Sequence, residues 1–175
     1  IVNFNIIELE NETLGQAHTV LLGLKEAPPS NNEPLLIFNI DTFRIGYKFP
    51  KVAQKGQVSG YLECFLGSGP NWSNVITKCS TSDQVIRTSE KKNESNLCCT
   101  GLYFFSTSNL FSEAYHGYYS LPHLNTPAEH FIAPIYNFLI SRGNTIKVDI
   151  INRASVIFFG IPSEYQEFKK MKLRL

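Results

Sequence analysis

The sequence predicts an α/β fold with a mixed, mostly parallel sheet flanked by helices. Three observations lead there. Segments with helical apolar spacing alternate with short apolar runs along the chain. The run Leu35-Leu36-Ile37-Phe38-Asn39-Ile40 is apolar almost throughout, which suits a strand covered on both faces. Hydrophobic residues make up 43% of the 175 and charged residues only 18%, enough for one well-filled domain spanning residues 1–175.

Taken in order, Ile6 and Ile7 close a short strand and residues 8–14 form a polar loop. Residues 15–27 carry Val20, Leu21, Leu24 and Ala27 at helical spacing, and Pro28-Pro29 stops that helix. The apolar run 35–40 follows, with Asp41 directly behind it. In open α/β sheets ligands bind beyond the carboxyl ends of such strands, so Asp41 is the best-placed carboxylate in the chain. Residues 54–56 read as a flexible loop. Residues 60–65 are a strand, and 73–77 with 84–87 form a pair joined by the turn 78–83. Residues 101–105 make another strand, and Ser108 caps a helix through Tyr115. Residues 117–127 are a loop, and 129–142 one helix ending at Gly143. Residues 146–150 and 156–159 are strands. Ser163 caps a last helix carrying Tyr165, Phe168 and Met171.

Composition excludes several classes. A net charge of +1 supplies no field for a nucleic-acid backbone. The cluster Lys169, Lys170, Lys172 and Arg174 reads as the solvated end of a helix. No apolar stretch approaches the roughly 20 residues that span a bilayer. Cys64, Cys79, Cys98 and Cys99 lack paired C-x-x-C spacing, so they read as free, mostly buried thiols in a reducing, cytoplasmic setting. His18, His116, His123 and His130 sit beside no nucleophile. Trp72 reads as structural. The opening Ile1 is not an initiator Met, and the expectation is a chain that starts partway through a larger protein.

Several short motifs carry chemistry. In the Gly15-Gln16 turn, glycine permits close backbone approach and the Gln amide can pair with a planar base edge; the same residues also suit an ordinary helix start. Asn39-Ile40-Asp41 ends an apolar strand with a hard oxygen ligand. Glu90-Lys91 joins a carboxylate to an ammonium, within what is otherwise a solvated turn. Thr100-Gly101-Leu102-Tyr103 opens a strand, Glu129-His130-Phe131 a helix, and Phe159-Gly160-Ile161-Pro162-Ser163-Glu164-Tyr165 closes the series.

In this order and spacing, the motifs resemble those of the sugar-1-phosphate nucleotidylyltransferase family, most like its capsule and surface-polysaccharide branch. The resemblance implies a Rossmann-like, nucleotide-diphospho-sugar transferase-like fold. It also implies condensation of a nucleoside triphosphate (NTP) with a sugar 1-phosphate to an NDP-sugar and pyrophosphate. Gly15 and Gln16 would bind the nucleotide. Asp41 would hold Mg²⁺, and Asp41 and Lys91 would act in catalysis. Glu90, Lys91, Thr100, Gly101 and Glu129 would hold the sugar phosphate.

The sequence departs from that family twice. The family's opening strand, its Gly-x-Gly-x-x-Arg phosphate loop and its Pro-Lys-Pro segment are not found in these residues. Phe158 and Ile161 stand where many members have Asp and Thr. From the first departure follow two expectations: that the chain alone is inactive, and that it self-associates or pairs with another segment to cover exposed sheet. A non-catalytic sugar-nucleotide-binding or regulatory domain is the alternative. A generic dinucleotide-binding domain lacks its Gly-x-Gly-x-x-Gly fingerprint.

Overall fold

The computed structural model describes residues 4–29, 33–54, 56, 58–121 and 129–170. Its strands are β1 (Leu35–Phe38), β2 (Thr42–Arg44), β3 (Gly60–Leu66), β4 (Ser73–Thr77), β5 (Val85–Glu90), β6 (Leu97–Phe105), β7 (Ile146–Ile151) and β8 (Val156–Phe158). Its helices are α1 (Gln16–Glu26), α2 (Lys51–Gln54), α3 (Ser108–Tyr119), α4 (Tyr136–Ser141) and α5 (Pro162–Lys170).

β6 organises the molecule. All nine of its residues are buried, and its side chains alternate between two layers. Cys99, Tyr103 and Phe105 face a core shared with α1, α3 and α4, through Ala17, Leu21, Phe111, Ala114 and Leu139. Leu102 and Phe104 face the opposite layer with Tyr61, Ala53 and Val58. A third cluster joins Cys98 and Phe65 to Val156 and Phe158. The sheet is thus covered on both faces, as the apolar runs require.

The main sheet has six strands in the order β5-β4-β6-β3-β7, with β1 also on β6. One edge of β6 runs beside β3. The other edge is divided: Cys98 pairs with Asn74 of β4, and Leu102 to Phe105 pair with β1. Between these two stretches, residues 99–101 have no ladder partner on that side. Against β3 the same stretch of β6 bulges: Leu62 pairs with Tyr103 and Cys64 with Cys99, so Glu63 alone faces residues 100–102. β2 and β8 form a separate antiparallel pair beside this gap.

The α/β class with a mixed sheet flanked by helices stands as the sequence indicates. The expected predominance of parallel pairing does not: among the described strands only β3 with β7 runs parallel. An apolar run reports burial on both faces, and burial is indifferent to strand direction.

Local boundaries differ for physical reasons. Residues 4–14 hold no strand, and Ile6 is 86% exposed. Thr107, not Ser108, caps α3; its hydroxyl accepts from the Leu110 amide at 3.1 Å. The helix expected over 129–142 is a 3₁₀ turn at Ala133–Ile135 followed by α4, because Pro134 cannot donate inside a helix but fits its first turn. For the same reason α5 starts at Pro162, one residue before Ser163. Lys51–Gln54, partly expected as loop, is helical.

All four cysteines are free, and three are buried. Among the described residues no helix is long and apolar enough to cross a membrane. His123, Met171, Lys172 and Arg174 lie outside the described residues.

Candidate functional site

The gap in the edge of β6 is the floor of a cleft of about 900 Å³. Cys99, Thr100 and Gly101 line it from below. The Thr100 and Gly101 carbonyls stay partnered without a neighbouring strand. Asn39 donates its amide to the Gly101 carbonyl at 3.2 Å, and the Thr42 hydroxyl reaches the Thr100 carbonyl at 3.5 Å. Gly101 has φ +93°, and a Cβ there would come within 2.6 Å of the Asn39 amide group. Only glycine permits that approach.

One wall comes from α1 and the end of β1. The Gln16 Nε2 donates to the Asn39 Oδ1, which leaves the Gln16 amide oxygen and the Asn39 amide nitrogen free to pair outward. Gly15 does not line the cleft. Its missing Cβ would sit 2.7 Å from the Glu129 side chain and 2.9 Å from the His130 amide, so its role is to pack the start of α1 against the segment carrying Glu129.

Asp41 lies between β1 and β2. The β2–β8 pair brings it to Gly160, and the Phe159 amide donates to the Asp41 carbonyl at 2.8 Å. A Cβ on Gly160 would stand 3.1 Å from Asp41 Oδ2 and 3.8 Å from Glu164 Oε2. Glu164, on the first turn of α5, also accepts from the Ile161 amide at 3.3 Å, half of a capping box. Two carboxylates therefore converge on the space that glycine keeps open.

The far end holds Glu90 and Lys91. Ser73 donates its hydroxyl to Glu90 Oε2 at 2.5 Å. Burial raises the Glu90 carboxyl above its usual range; Ser73 and Lys91 pull it down, and the Glu129 carboxylate pushes it up. Lys91 has φ +52°, a strained conformation for a non-glycine residue at the cleft mouth. Its ammonium lies 3.8 Å from Glu129 Oε2 and 4.4 Å from the Phe131 ring centre, and its amide donates to the Trp72 carbonyl at 3.2 Å.

Behind the floor, Glu63 (1% exposed) ties the two sheets together. It accepts from Arg44 Nε at 2.9 Å and from the Thr100 hydroxyl at 2.9 Å. Burial raises its carboxyl above the usual range, and Arg44 and Thr100 oppose that.

Of the residues singled out in the sequence, Gln16, Asp41, Glu90, Lys91, Thr100, Gly101 and Glu129 all line this one cleft. The described histidines do not. His130 is buried, with Nδ1 2.6 Å from the Tyr115 hydroxyl, and His18 Nδ1 accepts from the Leu14 amide at 3.0 Å. Sequence reasoning read Trp72 as structural, quoted Phe131 and Glu164 only within motifs, and gave Ser73 no role in the site. For Glu164 a signal existed, three residues beyond a helix start; for the others, only the fold joins distant segments.

No protein-family model matches the chain, and no curated protein does. Among solved structures it is similar to the nucleoside-diphosphate-sugar pyrophosphorylase from Vibrio cholerae RC9, with 42% identity and a TM-score of 0.87. That match covers 93% of this chain and 68% of the other. A UDP-glucose pyrophosphorylase complexed with UDP-glucose matches at 17% identity and TM-score 0.67, over 93% of this chain and 65% of that one. The inositol-1-phosphate CTP transferase from T. maritima matches at 14% identity and TM-score 0.61, over 93% and 64%. The latter two share the fold. The chain spans 64% to 68% of the length of these proteins.

Proposed function

Because the chain belongs to the nucleoside-diphosphate-sugar pyrophosphorylase family, we propose that its cleft binds a nucleotide and a sugar 1-phosphate and serves their condensation to an NDP-sugar and pyrophosphate. The observation that carries this reading is the convergence of Gln16, Asp41 and the Glu90-Lys91 pair on one cleft from three separate stretches of sequence.

The reaction needs positioning more than proton transfer. A sugar 1-phosphate oxygen is already anionic at neutral pH, so its attack on the α-phosphorus needs no general base. That fits a cleft lined by no histidine among the described residues. Gln16 and Asn39 present amide groups to a base edge. Glu90, oriented by Ser73, accepts from sugar hydroxyls, with Thr100, Gly101 and Glu129 completing that end. Lys91 meets the sugar phosphate as a point charge. Pyrophosphate leaves opposite the attacking oxygen.

Among the described residues the cleft lining carries Asp41, Glu90, Glu129 and Glu164 against a single cation, Lys91. A polyphosphate entering that field needs added positive charge. Asp41 and Glu164 make no ion pair among the described residues, and flank an open position at Gly160. This donor set suits Mg²⁺, which takes one or two carboxylates plus phosphate oxygens. When bound, Mg²⁺ supplies charge neutralisation on the phosphates.

The full reaction belongs to a protein that also provides a glycine-rich triphosphate loop, absent from these 175 residues; this stretch is a partial nucleotidylyltransferase domain, and alone it binds without turning over. It acts in the cytoplasm, in supply of surface polysaccharide. Copies associate along the outer edge of β1, which among the described residues pairs only with β6 and exposes Leu36 and Phe38; a strictly monomeric species in light scattering at high concentration overturns that. The alternative, a binding domain without chemistry in the whole protein, is favoured by Phe158, an aromatic ring where many family members carry a carboxylate.

Calorimetry of the chain with UDP-, dTDP- and CDP-glucose, with and without Mg²⁺, tests the reading. Binding that requires Mg²⁺ and is lost in Asp41→Asn supports it. No binding of any sugar nucleotide overturns it. Pyrophosphate release by the longest form of the protein separates enzyme from binding domain.

A further inference from the structure

Resting on the sugar-nucleotide reading above, we propose that Trp72 is the plate on which the sugar ring packs, so that the cleft selects a pyranose with an apolar face over an acyclic or cationic group.

Trp72 stands at the sugar-phosphate end. Its neighbour Ser73 orients Glu90, and its own carbonyl holds the Lys91 amide at 3.2 Å. The indole lines the cleft and is half-buried. Its back and edges are fixed. The Phe65 ring meets it edge-on at 5.2 Å and 87°, and Phe158 lies at 4.6 Å and 54°. At Gly69 an added Cβ would sit 3.6 Å from indole Cδ1 and 3.7 Å from Nε1. A ring held this way presents contact area at little entropic cost.

Two further features define what it accepts. The indole N–H has no hydrogen-bond acceptor among the described residues and is not among the buried unpaired polar atoms, so it faces open space. It is open to a hydroxyl at the rim of a bound ring. The Arg153 guanidinium lies 4.8 Å from the Phe158 ring centre and 5.2 Å from that of Phe65. Positive charge therefore already occupies the aromatic cluster, and a cationic head group would be repelled. A neutral pyranose matches: C–H groups on one face for the indole, and hydroxyls at the rim for Glu90, Ser73 and the indole N–H. An acyclic polyol offers no such continuous face. Phe158 thus gains a role as the brace behind Trp72.

Trp72 is the only tryptophan in the chain, so its emission reports on this ring alone. The chain with Mg²⁺ is titrated with UDP-, dTDP- and CDP-glucose, with the matching nucleoside diphosphates, and with CDP-glycerol as the acyclic counterpart. Heat, tryptophan emission and acrylamide quenching are read on the same samples. The expected result is that a binding NDP-glucose shifts the emission and shields the indole, whereas the matching diphosphate and CDP-glycerol leave both unchanged. Trp72→Ala is expected to weaken NDP-glucose roughly tenfold with the diphosphate unaffected, and Trp72→Phe to keep part of the loss. Because Trp72→Ala also loosens Phe65 and Phe158, the wild-type emission decides. Heat of NDP-glucose binding with silent emission overturns the proposal and leaves the family reading intact. An equal emission change from the diphosphate or CDP-glycerol also overturns it. Absence of heat from every sugar nucleotide brings down both.

Discussion

At the level of single residues, Gly101 and Glu90 show how the cleft departs from what stability alone would choose. Gly101→Ala combines backbone strain at φ +93° with a clash on Asn39 at 2.6 Å. Gly143 offers the comparison, with φ +79° and nothing within 4 Å of an added Cβ. Gly143→Ala is expected to cost about 1–2 kcal/mol in denaturant unfolding and Gly101→Ala more, and only Gly101→Ala should also weaken nucleotide binding in calorimetry, through the displaced Asn39 and Gln16. Glu90 is held above its ordinary range mainly by burial. The folded state then binds the proton more tightly than the unfolded one, so this group costs stability as pH rises through its raised value. Glu90→Gln should be as stable as wild type at pH 4 and more stable at neutral pH, while sugar-nucleotide affinity falls. A melting-temperature difference that does not grow with pH would contradict the assignment. Asp41 was legible from its position behind an apolar run. Trp72 was not, since nothing around Pro70-Asn71-Trp72 tells a wall residue from a structural one until β8 and β3 are brought alongside.

Among elements, the β2–β8 pair does what no isolated segment could. It carries Asp41 and Gly160 side by side, and Arg44 on β2 is clamped to Glu63 of β3, opposite the bulge of β6. Glu63→Gln leaves the Arg44 guanidinium, 11% exposed, without its charge partner. Breaking such a pair costs about 3 kcal/mol, and chemical denaturation should read that loss. Arg87→Gln, at the exposed pair with Glu94, should change little by the same measurement. Strand and helix positions were largely readable from apolar spacing, as α1 and β6 illustrate. Strand direction was not, because β1 looks alike from either neighbour. Pro134 was visible in the sequence, yet the apolar spacing through 131–140 masked the break it imposes.

Across the whole molecule, the site is assembled from α1, the β1–β2 connection, the start of β4, the end of β5, the segment before α4, and α5. A ligand that touches all of these should stabilise them together. At a hundredfold excess over its Kd the gain is about 2.7 kcal/mol, which for a chain of this length raises Tm by about 5–10 °C. Thermal melts with a sugar nucleotide and Mg²⁺ should show that rise, and Asp41→Asn should abolish it. A rise equally large in the variant would place the ligand elsewhere.

The divided edge of β6 has an evolutionary consequence. The foundation of the cleft is backbone, while Asp41, Trp72 and Glu164 stand on segments that leave the ladder at this parting. Selectivity can therefore drift by exchanging those segments without disturbing the β3–β6 pairing behind them.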